Sequence, residues 1–158
     1  MRVNLPVTQR EYDYPADRML VSMTDSKGVI THCNHAFVET SGFTYEELIG
    51  QNHNLVRHPD MPPAAYRDMW NTIGHGHPWT ALVKNRRKDG DHYWVQANVT
   101  PVLENGKPKG YMSVRVKPSR QEIAAAEALY AQLRDEEKSG KSTVYLRGGH
   151  VRYRGIRG

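Results

Sequence analysis

The sequence of 158 residues predicts an α+β protein with a five-stranded antiparallel sheet, short helices on one face and an exit helix at its C-terminal end. Three observations carry this prediction. Five segments are rich in β-branched and aromatic residues. Asp89-Gly90 and Asn105-Gly106, which are strong hairpin signals, separate the last three segments. Helical patterns after the second and the last of these segments open with capping residues.

The first hairpin is predicted from MLVSMTD, which begins at Met19, and VITHCN, with Ser26-Lys27-Gly28 as the turn between them. Asn34 is placed to cap a short helix that stops at Gly42. Thr44 and Glu47 then form a capping box over YEELIG. The sequence therefore predicts two short helices directly after two short strands.

A longer helix is predicted to begin with Asp60 as its cap and Pro62 in the first turn, and to end near Gly74. Tyr66, Trp70 and Ile73 lie on one broad apolar face of it, which indicates packing. WTALVKN, HYWVQANVTPVLE and GYMSVRVK follow as an antiparallel meander.

The last helical segment opens with a capping box of Ser119 and Glu122. Ile123, Ala126, Tyr130 and Leu133 form a seam with a spacing of three and four residues. This helix is expected to leave the domain and point toward a partner. We divide the chain into an N-terminal arm (1–18), a folded sensor domain (19–118), a signalling helix (119–137) and a basic flexible tail (138–158).

The net charge of +5 belongs to the tail, because residues 1–137 hold 16 basic against 17 acidic side chains and residues 138–158 hold six basic ones and no acidic one. Such a tail is interpreted as a flexible solvated end or as an electrostatic contact with anionic membrane lipid or nucleic acid. No specific nucleic-acid site is predicted. A lone cysteine, Cys33, and the lack of a signal peptide or a long apolar run predict a cytoplasmic protein.

Two segments resemble PAS domains. NHAFVETSGFTYEELIGQNHNLVRHPDMP is similar to the segment that carries their short helices, and VKNRRKDGDHYWVQANVTPVLENGKPKGYMSVR is similar to their last three strands. The combination of RHPDMP, DMW, PW and GYMSVR resembles the N-terminal sensory domain of bacterial aerotaxis receptors, which bind FAD non-covalently and report redox state. The likeness covers roughly residues 7–133.

By this resemblance, eight positions are candidates for flavin binding, with FAD expected rather than FMN. Three of them lie in the RHPD motif: Arg57, His58 and Asp60. The others match pocket positions: Trp70, Asn85, Asn34, Tyr66 and Trp79.

The chemistry of two of these residues suits a flavin. Asn85 both donates and accepts hydrogen bonds, as the pyrimidine edge of the ring requires, and strand alternation places it at the end of an apolar row that starts with Trp79. The planar guanidinium of Arg57 suits a diphosphate.

Structural roles are the alternatives for the same residues. Asn85 also suits a strand end, and Arg57 suits a solvated loop. His58 is equally suited to pairing with Asp60 at a helix start, and Tyr66 and Trp70 to core packing. Cys33 lies before the short helices, which disfavours a blue-light cysteine adduct. The histidines have no carboxylate or thiolate set at metal-ligand spacing.

The sequence thus favours a redox- or oxygen-responsive sensor, without enzymatic activity, that passes its state to a chemotaxis-type signalling partner or within a homodimer through the C-terminal helix. The alternative is a cofactor-free domain for dimerisation or partner docking, and a haem-binding gas sensor is a third hypothesis. Aerotaxis receptors continue into a transmembrane segment and a signalling region. The present sequence ends at Gly158, so the route of the output stays open.

Overall fold

The structure, a computed structural model, describes residues 4–154. Seven strands and four α-helices lie in that range, with a short 3₁₀ helix at His53–Val56 between the second and third helices. The strands are β1 (Leu20–Asp25), β2 (Ile30–Cys33), β3 (Trp79–Arg86), β4 (His92–Glu104), β5 (Lys107–Val116), β6 (Val144–Arg147) and β7 (His150–Tyr153). The helices are α1 (His35–Ser41), α2 (Tyr45–Leu48), α3 (Pro63–Gly74) and α4 (Arg120–Ser139).

The predicted five-stranded antiparallel sheet is confirmed, with the strand order β2-β1-β5-β4-β3. β4 and β5 are joined by Asn105 and Gly106 alone, with φ angles of 54° and 77°. These are the positive values that a two-residue hairpin needs to match the twist of its strands. The β3–β4 register pairs Trp79 with Val99 and Asn85 with Tyr93.

The predicted caps are confirmed at three helices and corrected at one. Asn34 accepts a hydrogen bond from the Phe37 amide, and Thr44 and Ser119 each form a complete capping box. Asp60 does not cap α3, because its carboxylate is paired with Lys84 and the helix begins after Pro62. Pro63 at the first helical position has no N–H that would need a cap.

The sequence predicted that α4 would leave the domain, but the helix packs against it. Ile123, Ala126, Tyr130 and Leu133 are all buried, and the Tyr130 hydroxyl donates to the Leu82 carbonyl of β3 at 2.5 Å. The Tyr130 ring also stacks on Trp94, with ring centres 6.3 Å apart. The apolar seam therefore covers the side of the sheet to which Trp94 points.

The predicted flexible tail is also corrected over the residues that the structure describes. β6 and β7 form a hairpin, and the side chains of Val144 and Leu146 are buried. The basic side chains of Arg147 and Arg152 are on its exposed side. The prediction of a flexible tail followed these charges and overlooked the two apolar positions. Residues 1–3 of the arm and 155–158 of the tail lie outside the described range.

Residues 4–18 of the N-terminal arm have no regular structure beyond one bridge, but they pack along the β3–β4 hairpin. The amides of Thr8 and Tyr12 donate to Gly90 and His92. The buried Tyr14 donates to the Trp94 carbonyl at 2.6 Å. The arm is thus part of the fold.

Candidate functional site

A cavity of about 730 Å³, counted with its open mouth, lies between the sheet and the segment from the 3₁₀ helix to α3. Its floor and one side are formed by residues of β1, the β1–β2 turn, β3, β4 and β5. Its other side is formed by α3 and by the segment between α2 and α3. The lining consists of Thr24, Gly28, Asn52, His53, Asn54, Val56, Arg57, Tyr66, Met69, Trp70, Ile73, Trp79, Val83, Asn85, Ala97, Val99, Tyr111, Ser113 and Arg115.

Five of the eight predicted residues line this cavity. Trp79 and Asn85 lie on the inward row of β3, whose alternating burial agrees with the predicted face. Trp70 packs edge to face against Tyr111, with ring centres 5.6 Å apart. The Arg57 guanidinium lies over the ring of Tyr66. A backbone bridge between Arg57 and Asn85 joins the loop to the end of β3.

The other three predicted residues do not line the cavity. Asn34 uses its side chain to cap α1 and to bind the backbone of Met19 and Val21. These bonds use its oxygen twice and one of its N–H groups, which holds the side chain at the start of α1 and away from the cavity.

His58 and Asp60 lie on the other side of the loop. Nδ1 of His58 accepts from the Asp60 amide at 3.0 Å, and its ring meets His92 edge to face. Asp60 pairs with Lys84 at 2.8 Å. Burial, with the Lys84 charge, lowers the pKa of His58 to about 4, so its ring is neutral at pH 7. His58 and Asp60 thus have the structural role that was the alternative to flavin binding. Through Lys84 they attach the loop that carries Arg57 to β3.

Polar residues outside the eight predicted positions also line the cavity. The buried Arg115 donates to Ser22 Oγ at 2.8 Å and contacts Nε2 of His53, and its guanidinium lies 5.0 Å from the centre of the Phe37 ring. Ser113 precedes it on the same row of β5. The alternation of Tyr111, Ser113 and Arg115 was the available signal, because every second residue of a strand faces the same side.

Arg115 has no salt bridge to a carboxylate within residues 4–154. Burial accordingly lowers the pKa of its guanidinium to about 10, which leaves it charged at pH 7. Burial and the Arg115 charge lower the pKa of His53 to about 3. The floor of the cavity therefore carries a positive charge that no described protein group neutralises.

Within residues 4–154, four side-chain atoms of the cavity lining are buried without a hydrogen-bond partner: Asn54 Oδ1, Arg57 Nε, Ser113 Oγ and Arg115 Nη1. Each such group costs about 1–3 kcal/mol. Donors and acceptors gathered between aromatic walls suit a flat ligand with a polar edge and negative charge. A flavin has these features, so the residues present fit that group.

Trp79 is held by a contact outside the cavity. Its indole Nε1 donates to Asp68 Oδ2 at 2.8 Å, and both residues are buried. The indole N–H thus points away from the sheet toward α3, while the ring forms part of the wall.

No helix in the described part of the chain has the length and apolar character needed to cross a membrane. The same residues hold no group of three or more histidine, cysteine, aspartate or glutamate side chains that is suited to a metal ion.

Comparison with known proteins supports the predicted fold and relationship. The model of the PAS fold matches residues 30–115. The chain is 50% identical over 145 residues to the aerotaxis receptor of Escherichia coli (strain K12), covering 90% of this chain and 29% of that protein. It is 32% identical over 96 residues to the nitrogen fixation regulatory protein of Klebsiella pneumoniae, covering 60% of this chain and 19% of the other.

Among solved structures, the dark structure of the blue-light photoreceptor Aureochrome1 LOV superposes with a TM-score of 0.62 at 20% identity, covering 82% of this chain and 99% of that one. This likeness concerns the fold. The chain spans less than a third of the length of either curated relative above. With its sheet, its helices and the family match over residues 30–115, the chain belongs to the PAS family.

Proposed function

We propose that this PAS domain binds FAD non-covalently in the cavity and signals its redox state to a protein partner, without turnover of a substrate. The observation that carries the proposal is the set of unpaired polar atoms of Asn54, Arg57, Ser113 and Arg115 around one aromatic-walled cavity. The similarity to the aerotaxis receptor supports the same function.

Each residue has a distinct role in this proposal. Asn85 pairs with the polar edge of the flavin ring, because a single amide both donates and accepts. Trp70, Tyr66 and Trp79 form the walls. Arg57 pairs with the diphosphate, which favours FAD over FMN. His58 and Asp60 act indirectly by holding the Arg57 loop against Lys84.

Bound FAD supplies a group whose charge changes when it gains or loses electrons. The charged Arg115 on the cavity floor responds to that change, because charges interact strongly where water is excluded. Its neighbours Ser22 and His53 rearrange with it. Ser22 lies on β1 and Arg115 on β5, so the change reaches the sheet directly. We place the protein in the cytoplasm, where a single free cysteine stays reduced.

The test is the absorption spectrum of the purified chain, before and after reconstitution with FAD and again after dithionite. We expect a flavin spectrum that dithionite bleaches. A colourless protein after reconstitution, or a haem Soret band, would contradict the proposal. Asn85→Ala should weaken FAD binding about tenfold or more. Asn98→Ala is the matched control, because Asn98 binds the Val114 carbonyl outside the cavity.

A further inference from the structure

Asp68 connects the cavity wall to the C-terminal hairpin. Its carboxylate accepts three hydrogen bonds: from Trp79 Nε1 at 2.8 Å, from the Gly148 amide at 2.9 Å and from the Gly149 amide at 2.7 Å. Trp79 and Gly149 both bind Oδ2, and Gly148 binds Oδ1. We call Trp79, Asp68, Gly148 and Gly149 the Asp68 junction.

The hairpin turn is shaped for this contact. Two successive amides with φ angles of 63° and 88° point at one carboxylate, an arrangement that binds anions. Gly149 also lies directly against β3: a Cβ atom there would lie 1.8 Å from the Thr80 carbonyl oxygen. A Cβ on Gly148 would meet nothing within 4 Å. Only Gly149 therefore limits how close the turn approaches the sheet.

The hairpin is attached separately at its two ends. At its base, Glu136 of α4 accepts from the Thr143 amide and hydroxyl, both at 2.6 Å. Its tip depends on Asp68. The buried Val144 lies near the base and the buried Leu146 near the tip, so each end has its own contacts and the tip can open separately from the base.

We propose that Asp68 is a positioning residue for the cavity wall and that, through it, the docking of the hairpin tip and the orientation of Trp79 depend on each other. Asp68 cannot follow Trp79 without changing its bonds to the turn, since one oxygen serves both donors. A ligand that shifts the Trp79 ring therefore alters the docking of the hairpin, and by linkage the docked hairpin alters the site. The nature of that ligand rests on the proposed function, whereas the coupling itself does not.

The first experiment uses the full chain without FAD. Gly149→Ala is compared with Gly148→Ala, in which the same side chain is added at a neighbouring residue of positive φ. Both variants carry the strain of a side chain at positive φ, so their comparison isolates the clash between residue 149 and Thr80. Amide exchange across β6 and β7 should become about tenfold faster in Gly149→Ala than in Gly148→Ala. The indole N–H resonance of Trp79 in a ¹⁵N–¹H spectrum should shift in Gly149→Ala alone. A Trp79 resonance that stays unchanged while the hairpin exchanges faster would overturn the coupling, and so would a hairpin unaffected by Gly149→Ala.

Asp68→Asn provides a second test. The side-chain NH₂ of the asparagine is a donor, so it would face either the Gly148 amide or the N–H groups of Gly149 and Trp79 and could not accept from them. This variant should therefore show the faster exchange of the hairpin and the shift of the Trp79 resonance. Normal values of both would also overturn the proposal.

The second experiment adds FAD and compares amide exchange of the hairpin in the oxidised protein and after dithionite. We expect about a tenfold difference in the wild type and none in Asp68→Asn. Equal exchange in both oxidation states of a chain that binds FAD would show that the junction does not transmit the redox state. If FAD does not bind, the proposed function fails and the FAD-free experiment alone decides the coupling.

Discussion

The guanidinium carbon of Arg57 lies 3.6 Å from the centre of the Tyr66 ring, on the side of the cavity formed by the loop and α3. This contact holds the charged side chain of Arg57 against the aromatic wall. Its Nε has no hydrogen-bond partner among residues 4–154 and is free to bind a ligand. A cation held over a ring in this way is already oriented to meet an anionic group.

Arg57→Lys should weaken FAD binding about tenfold, because an ammonium cannot pair with two phosphate oxygens from one plane. FMN binding should change less, since FMN lacks the diphosphate. Titration of the apoprotein with each flavin measures both effects. Arg87→Lys is the control, because Arg87 lies over Tyr12 at 3.8 Å and does not line the cavity. Equal losses for FAD and FMN would contradict the role given to Arg57.

Arg115→Met should separate stability from binding. Removal of a buried charge without a salt bridge should leave the free energy of unfolding of the FAD-free chain unchanged or raise it by about 1 kcal/mol. Ser22 and His53 keep a partner, because their side chains lie 3.0 Å apart. FAD affinity should fall about tenfold.

Urea unfolding and flavin titration measure the two effects of Arg115→Met. Arg86→Met is the control for binding, because Arg86 is buried but donates to the Pro6 carbonyl outside the cavity. A clear loss of stability in the FAD-free Arg115→Met protein would show that Arg115 supports the fold itself.

The pH dependence of stability should reflect His53 and His58, whose pKa values lie well below the ordinary value in the folded chain, and His92, whose pKa is also lowered by burial. Burial lowers the pKa of His53 to about 3 and that of His58 to about 4, from an ordinary value of 6.5. Both stay neutral in the folded chain, while the unfolded chain takes up protons below its ordinary pKa. The fold should therefore lose about 1 kcal/mol per histidine between about pH 7 and about pH 5.5, and the loss should continue down to the lowered pKa values.

Urea unfolding at the two pH values measures this loss. His58→Gln should remove about 1 kcal/mol of it, the contribution of one histidine, because the glutamine does not titrate. His35→Gln is the control, since the His35 side chain is 88% exposed. If His58→Gln left the pH dependence unchanged, the ring would have to titrate at its ordinary pKa in the folded chain.

Tyr130→Phe tests the position of α4. Loss of the hydrogen bond to the Leu82 carbonyl should lower the free energy of unfolding by about 1 kcal/mol. A helix that projected into solvent would show no loss. Tyr153→Phe should have no effect, because Tyr153 is 73% exposed. Urea unfolding of the three proteins gives the comparison.

Features of this protein that depend on near neighbours in the chain were predictable from its sequence. The caps at Asn34, Thr44 and Ser119 involve residues three positions apart, and the Asn105-Gly106 turn requires only its own φ angles. The alternation along β3 likewise placed Trp79 and Asn85 on one inward face. Each interaction is complete within a few residues, so the pattern of residue types is enough to reveal it.

The tertiary structure decided which of several suitable partners each side chain meets. Asp60 was a plausible helix cap, but it pairs with Lys84, which is 24 positions away. Arg115 meets Ser22 and His53 across 93 and 62 positions, and Asp68 meets Gly149 across 81. Residue types at such separations carry no periodic signal. The packing of α4 on the sheet and the docking of the hairpin likewise depend on apolar surface that forms only when distant elements pack together.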